Sequence, residues 1–178
     1  NQLVRACLLE SDSDGELKMH DLIREMAIRI TKEKPRYTVK AGLHLMELPE
    51  EQEWTEDLDK VSLMRNSIME ISPGTSPKCP SLSTLILSDN PLLRSIPDCF
   101  FTHMCGLRTL NLSGTGIESL PNSISDLEKL NALLLTDCYK LVSVPSLEKL
   151  KVLKHLDLSE TNIEEIPRGM ESLTNLKC

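Results

Sequence analysis

Few residues in this chain have the type and spacing for chemistry, and the first are His20 and Asp21 in KMHDLIREM. They stand where a short strand-like run gives way to a helical one. As a site, the imidazole supplies a donor beside a helix N-terminus, where unpaired backbone N–H groups already favour an anion. As plain structure, Asp21 caps the helix by accepting from those same groups and His20 packs beside it. A second cluster is Cys99, His103 and Cys105 in CFFTHMC, whose side-chain types suit zinc. Phe100, Phe101 and Met104 interleave with them, which marks the segment as the outer, core-facing limb of a long repeat. Glu164 and Glu165 are adjacent carboxylates with no partner base implied, so a solvated face is expected and not acid–base catalysis. The sequence contains no Ser-His-Asp or Cys-His nucleophile pattern and no GxxxxGK[ST] phosphate loop. The expectation is a non-enzymatic chain with no catalytic residue, no metal and no cofactor of its own.

What positions these groups follows from composition. The 178 residues are 40% hydrophobic but only 3% aromatic, so the core is built from Leu, Ile and Val in repeated aliphatic layers. No apolar run approaches the ~20 residues of a membrane span. Asn1 is not an initiator Met and no secretory apolar segment follows it, so the chain is expected to be an internal piece of a longer protein. Six scattered cysteines without CxxC pairs read as reduced thiols of a cytosolic protein. The net charge of −7 is local. Glu47 to Asp59 holds seven acids and no Lys or Arg, and the remaining 20 acids balance the 20 bases. Such a surface gives no electrostatic reason to bind nucleic acid or anionic lipid. The acidic run has two readings, a solvated connector or a docking strip for a basic surface.

Periodicity is the strongest signal. The pattern LxxLxLxx(N/T/C) occurs five times, with first leucines at 58, 82, 107, 130 and 153, and a sixth copy opens at Leu176. A spacing of 23 to 25 residues falls in the range of leucine-rich repeats. In each LxL the two aliphatics lie on one side of a short strand, so stacked copies form a curved parallel sheet with one buried face. The residue closing each strand (Asn66, Asn90, Thr115, Cys138, Thr161) turns the chain inward and satisfies backbone groups that the turn leaves unpaired. Cys138 is thus a ladder residue and not a nucleophile. The intervening positions line the concave face: Lys60, Ser62, Met64; Thr84, Ile86, Ser88; Thr109, Asn111, Ser113; Ala132, Leu134, Thr136; His155, Asp157, Ser159. Ile86 and Leu134 are apolar there without a structural need, which makes the candidate partner-binding set Met64, Ile86, Asn111, Leu134, His155 and Asp157.

Upstream, Leu3, Val4, Cys7 and Leu8 form one helical stripe, residues 11 to 15 a turn, and Leu17 to Met19 a short strand. Ile23, Met26, Ala27 and Ile30 follow with helical spacing. This order predicts part of a winged-helix unit over 1–35. Residues 36–57 then form an acidic connector and N-terminal cap, with Trp54 covering the open end, and 58–178 the repeats. The fold class is α/β, a leucine-rich-repeat solenoid behind a partial winged helix.

The segment KMHDLIREMAIRI, a connector with ELP and a Trp, then VSLM and repeats of the form LxLSxTxIExLP together resemble plant nucleotide-binding leucine-rich-repeat disease-resistance proteins of the coiled-coil type. The resemblance covers essentially the whole chain. It implies that Met19, His20 and Asp21 are the MHD motif ending the nucleotide-binding module, and that His20 contacts the ADP phosphate and holds the receptor off. It also implies ADP or ATP as cofactor of the full-length protein. The implied partners are a pathogen effector or guarded host protein, and a nucleotide-binding domain in the same chain that the acidic connector would pair with. Without the phosphate loop, these 178 residues are expected to bind ADP or ATP negligibly. The alternatives are a plain leucine-rich-repeat scaffold without nucleotide switching, and an enzyme whose catalytic domain lies elsewhere.

Overall fold

The computed structural model describes residues 36–177 together with 10–11, 17–18, 24–26 and 29. Upstream, strand β1 (Glu10–Ser11) pairs antiparallel with β2 (Leu17–Lys18), Glu10 opposite Lys18. Residues 24–26 and 29 are helical, and Glu25 and Arg29 form an ion pair at 3.2 Å one turn apart. The remaining positions of the expected winged-helix unit lie outside the described residues.

From Tyr37 onward the chain winds into coils joined by one parallel sheet. Its strands are β3 (Tyr37–Val39), β4 (Lys60–Ser62), β5 (Thr84–Ile86), β6 (Thr109–Asn111), β7 (Ala132–Leu134) and β8 (His155–Asp157), stacked in chain order. The register is one coil per repeat: Val61 lies beside Leu85, Leu85 beside Leu110, Leu110 beside Leu133. Alternation then sorts the side chains. Val61, Leu85, Leu110 and Leu133 are buried with Leu63, Leu87, Leu112 and Leu135, and each such burial stabilises by about 1.5–3 kcal/mol.

The strand at Tyr37 adds to the expected connector and N-terminal cap. Within residues 36–57 β3 pairs residue for residue with β4, so the segment extends the sheet by one coil. The Lys40 and Gly42 N–H groups continue the ladder to the Ser62 and Met64 carbonyls at 2.9 and 3.0 Å. The acidic run is the convex limb of this coil. Glu51–Glu53 form a 3-10 turn closed by a capping box between Glu50 and Glu53, and Glu53 also pairs with Lys40 at 2.5 Å. Trp54 is buried, donating from Nε1 to the Pro49 carbonyl at 3.2 Å. It meets Phe100 edge-on at 6.2 Å, and Phe100 meets Phe101 likewise at 5.0 Å. These rings fill the core across the limb of Ile71 to Pro80, whose buried apolar side chains are small.

The polar ladder forms as the turn chemistry requires. Asn66 Nδ2 donates to the Lys40 and Leu63 carbonyls at 2.8 and 2.9 Å, and its Oδ1 accepts from Leu43 and Leu45 N–H at 3.0 Å. Asn90 repeats this, donating to the Leu63 and Leu87 carbonyls and accepting from Ile68 N–H. Thr115 and Thr161 each donate within their own coil, to the Leu112 and Leu158 carbonyls, while the Cys138 thiol reaches back to the Leu112 carbonyl at 3.1 Å and to the Thr115 hydroxyl at 3.4 Å. One residue before each ladder position the backbone is left-handed, with φ of 55, 56, 68, 61 and 56° at Arg65, Asp89, Gly114, Asp137 and Glu160, and Gly42 has the same conformation in the coil before them at 66°. At Gly114 the N–H then donates to the Thr136 carbonyl of the next coil at 2.8 Å. A Cβ there would press on the Asp89 carboxylate.

Two repeat positions depart from expectation. Ile166, which the repeat period aligns with the buried Ile71, Ile96 and Leu120 of earlier coils, is 83% exposed in the last coil, where no described residue stacks over it. Ser88, expected on the concave surface, is buried, with its carbonyl drawn to Arg65 N–H and Asn90 Nδ2 at 3.0 and 3.3 Å.

Candidate functional site

The concave face is built from three in-register columns, each contributed once per coil. The central column runs Val39, Ser62, Ile86, Asn111, Leu134, Asp157, and the column beside it Tyr37, Lys60, Thr84, Thr109, Ala132, His155. Neighbouring side chains in a column stand about 4.8 Å apart. Ile86 and Leu134 are half-buried on this face, flanked by hydroxyl and amide groups, and so is Met64 at the strand exit. Asn111 and Asp157 share a column and do the same local work: each side-chain oxygen accepts from the N–H two residues on, Ser113 at 2.9 Å and Ser159 at 3.0 Å. Those Ser159 bonds and the Thr136 hydroxyl hold the Asp157 carboxyl below the usual range, so it is an anion at neutral pH. His155 is exposed at the edge.

The first strand adds residues that sequence reasoning missed. Tyr37 and Val39 extend the face by one coil, and Lys60 Nζ sits 5.6 Å above the Tyr37 ring. The signal was faint because Thr38 occupies the column that Val61 and Leu85 fill in later coils.

On the convex side a groove of about 440 Å³ lies between the first two coils. Leu48, Trp54 and Ile71 form its apolar part, and Glu47, Glu51 and Glu70 line it, none of them in an ion pair among the described residues. Of the acidic run, Glu53 is committed to Lys40, Asp59 to Lys60 and Glu50 to the capping box, whereas Glu47 and Glu51 of the groove have no ion pair among the described residues, nor has the exposed Glu56 outside it.

The CFFTHMC segment lies with Phe100, Phe101 and Met104 in the core. Cys99 Sγ faces the Thr75 carbonyl at 3.4 Å, and Cys105 is exposed beside the Pro80 carbonyl. Among the described residues no group of three His, Cys, Asp or Glu side chains is placed to hold a metal. Cys79, Cys99, Cys105 and Cys138 are free thiols, and burial pushes the Cys79 thiol up to about 11. Glu164 and Glu165 are exposed on the outer face of the last coil.

Comparison with known proteins adds what geometry alone cannot. Leucine-rich-repeat family models match residues 80–139 and 152–173. Over 96% of its length the chain is 39% identical to disease resistance protein At4g27190 of Arabidopsis thaliana. It is 39% identical to disease resistance protein SUMM2 over 95% of the chain, and 37% identical to disease resistance protein RPS5 over 98%, both also from Arabidopsis thaliana. The chain belongs to the plant leucine-rich-repeat disease-resistance proteins. It spans 17 to 20% of the length of these relatives.

Met19, His20 and Asp21, the expected MHD motif, lie outside the described residues, so the candidate surface is that of the solenoid. No helix among the described residues is long and apolar enough to cross a membrane. One further feature escaped the sequence reading, which expected charges to be balanced outside the acidic run. Arg108, Lys129 and Lys154 converge on a shallow groove of about 370 Å³ at the strand-entry edge of the later coils. Tabulating each coil by repeat position would have found it, since Arg108, Asn131, Lys154 and Lys177 occupy equivalent places one residue before each strand.

Proposed function

We propose that this chain is the recognition part of an intracellular plant immune receptor, with the concave face taking a pathogen effector or a guarded host protein. The observation that carries this reading is the placement of Ile86 and Leu134 on the open face of the sheet. Aliphatics there do nothing for the coil, whose core is closed by the alternate positions, and they suit a partner's apolar contact. Tyr37, Val39 and Met64 extend the apolar zone, while Asn111, His155 and Asp157 give it a polar C-terminal half. Its action is binding and not catalysis.

In the full-length protein the nucleotide contact falls to His20, and ADP or ATP supplies the phosphate that it holds. The 178 residues offer no phosphate loop, so no step of the switch is assigned to the solenoid. Its part is restraint: the free carboxylates Glu47, Glu51 and Glu70 beside the first coil are suited to a basic surface of the nucleotide-binding domain. The cytosol is the compartment in which four free thiols and this partner set are compatible.

The test is made in the full-length protein in its plant host. Ile86→Arg with Leu134→Arg is expected to abolish pathogen-triggered defence at normal protein level, whereas His20→Ala is expected to signal without pathogen. Silence of His20→Ala favours the plain scaffold without nucleotide switching. Undiminished recognition by the double arginine variant contradicts the concave-face reading.

A further inference from the structure

We propose that the strand-entry edge of the later coils is a second docking surface, separate from the concave face, and that it takes an acidic peptide segment of another protein. The backbone sets the geometry. Asn131 N–H donates to the Arg108 carbonyl at 2.7 Å, Lys154 N–H to Asn131 at 2.8 Å and Lys177 N–H to Lys154 at 2.8 Å, which strings the four residues along one line. Lys129 stands beside Arg108 and Lys154 around the groove, and Lys151 flanks them.

Clustering singles this edge out. Elsewhere the surface cations are either paired, Lys40 with Glu53, Lys60 with Asp59, Arg65 with Asp89 and Lys149 with Asp126, or, like Lys78, Arg94 and Lys140, exposed away from this groove. Arg108, Lys129, Lys151, Lys154 and Lys177 are all exposed and form no ion pair among the described residues. Glu128 is the single carboxylate of the groove, so three cations there face one anion. In a chain of net charge −7, such a gathering is anomalous and calls for charge from outside.

Spacing selects an extended peptide. Arg108 and Lys154 are two coils apart, hence about 10 Å, and three residues of extended polyproline II chain rise about 9 Å and return to the same face. An acidic segment in that conformation with carboxylates at every third position therefore meets Arg108 and Lys154 in turn, with Lys129 between them. Val152, 39% exposed in the groove, offers the intervening side chains an apolar contact, and the Asn131 carboxamide lies at its floor. Because the cations are solvated, the contact is salt-dependent and works mainly through the association rate.

The probe is a fluorescein-labelled peptide of nine residues with Glu at every third position, titrated against the 178-residue chain by anisotropy at low salt. Its Gln counterpart and vesicles of phosphatidylserine and phosphatidylcholine are run in parallel. Saturable binding of the Glu peptide is expected, weakened at least tenfold by Gln substitution, by Lys129→Glu with Lys154→Glu, and by physiological salt. Arg94→Glu with Lys78→Glu makes the same change of net charge away from the edge and is expected to leave binding within twofold. No saturable binding, or equal loss in the Arg94 and Lys78 control, overturns the proposal. Vesicle binding tighter than peptide binding and lost in the Lys129 and Lys154 variant overturns the peptide as occupant. Circular dichroism and the melting transition of both variants distinguish a lost contact from a lost fold.

Discussion

The coils before Gly106 and those after it use the same aliphatic frame but close it differently. In the earlier coils Asn66 and Asn90 each bond carbonyls and N–H groups of two adjacent turns, and Trp54, Phe100 and Phe101 bridge the convex limbs. In the later coils Thr115 and Thr161 bond the Leu112 and Leu158 carbonyls of their own turns, the Cys138 thiol is the group that reaches the Leu112 carbonyl and the Thr115 hydroxyl of the coil before, and the core is aliphatic. An amide has two donors and an acceptor where a hydroxyl has one proton to give and a thiol is a weak donor, so fewer and weaker bonds tie the later turns together. The earlier half is held by more inter-coil polar bonds and by rings, the later half chiefly by side-chain packing. The grooves differ as well, Glu47, Glu51 and Glu70 lining the one between the first coils and Arg108, Lys129 and Lys154 the one at the later edge.

This comparison is easiest to break at the ladder. Asn90→Ala is expected to cost about 3–5 kcal/mol, because the buried Ile68 N–H and the Leu63 and Leu87 carbonyls lose their partner together. Thr115→Ala removes one carbonyl bond and a long contact with the weakly bonding Cys138 thiol, and is expected to cost about 1 kcal/mol. Urea unfolding of the two variants measures both, and equal losses would remove the distinction between the halves. A smaller effect sharpens it at the left-handed positions. Gly114→Ala is expected to cost about 1–2 kcal/mol, since its φ of 68° disfavours a Cβ, whereas Glu160→Gly at φ 56° relieves strain and is expected to stabilise by up to about 1 kcal/mol. Thermal melts with opposite signs for the two substitutions are the expected outcome.

The repeat frame was legible because Leu at fixed spacing has a single sense in a stack: every first leucine from 58 to 153 is buried where the period puts it. The ladder was legible too, as Asn66, Asn90, Thr115, Cys138 and Thr161 turn inward. The first coil was not, for a physical reason. Its strand reads YTV, with Thr38 and Lys40 where later coils carry aliphatics, so the period gives no mark although backbone pairing completes the strand regardless of side chain. The acidic density of Glu47 to Asp59 added no mark of a repeat, since a 3-10 turn closed by the Glu50 and Glu53 side chains looks like solvated chain. The concave candidates Met64, Ile86, Asn111, Leu134, His155 and Asp157 fall on the open face as alternation requires, but the turn-closing bonds of Asn111 and Asp157 depend on local geometry that residue types alone leave open. The basic edge was hidden because counting charges along the chain does not sort them by position in the repeat.

The central claim is that one continuous sheet runs from Tyr37 to Asp157, so that the binding face includes the first coil. Residue-resolved amide hydrogen exchange tests it most directly. The Lys40 and Gly42 amides, bonded to Ser62 and Met64, are expected to be protected to within about tenfold of the Leu63 and Arg65 amides one coil on. Exchange of Lys40 and Gly42 at free-chain rates, with Leu63 and Arg65 still protected, would return residues 36–57 to a connector and start the face at Lys60.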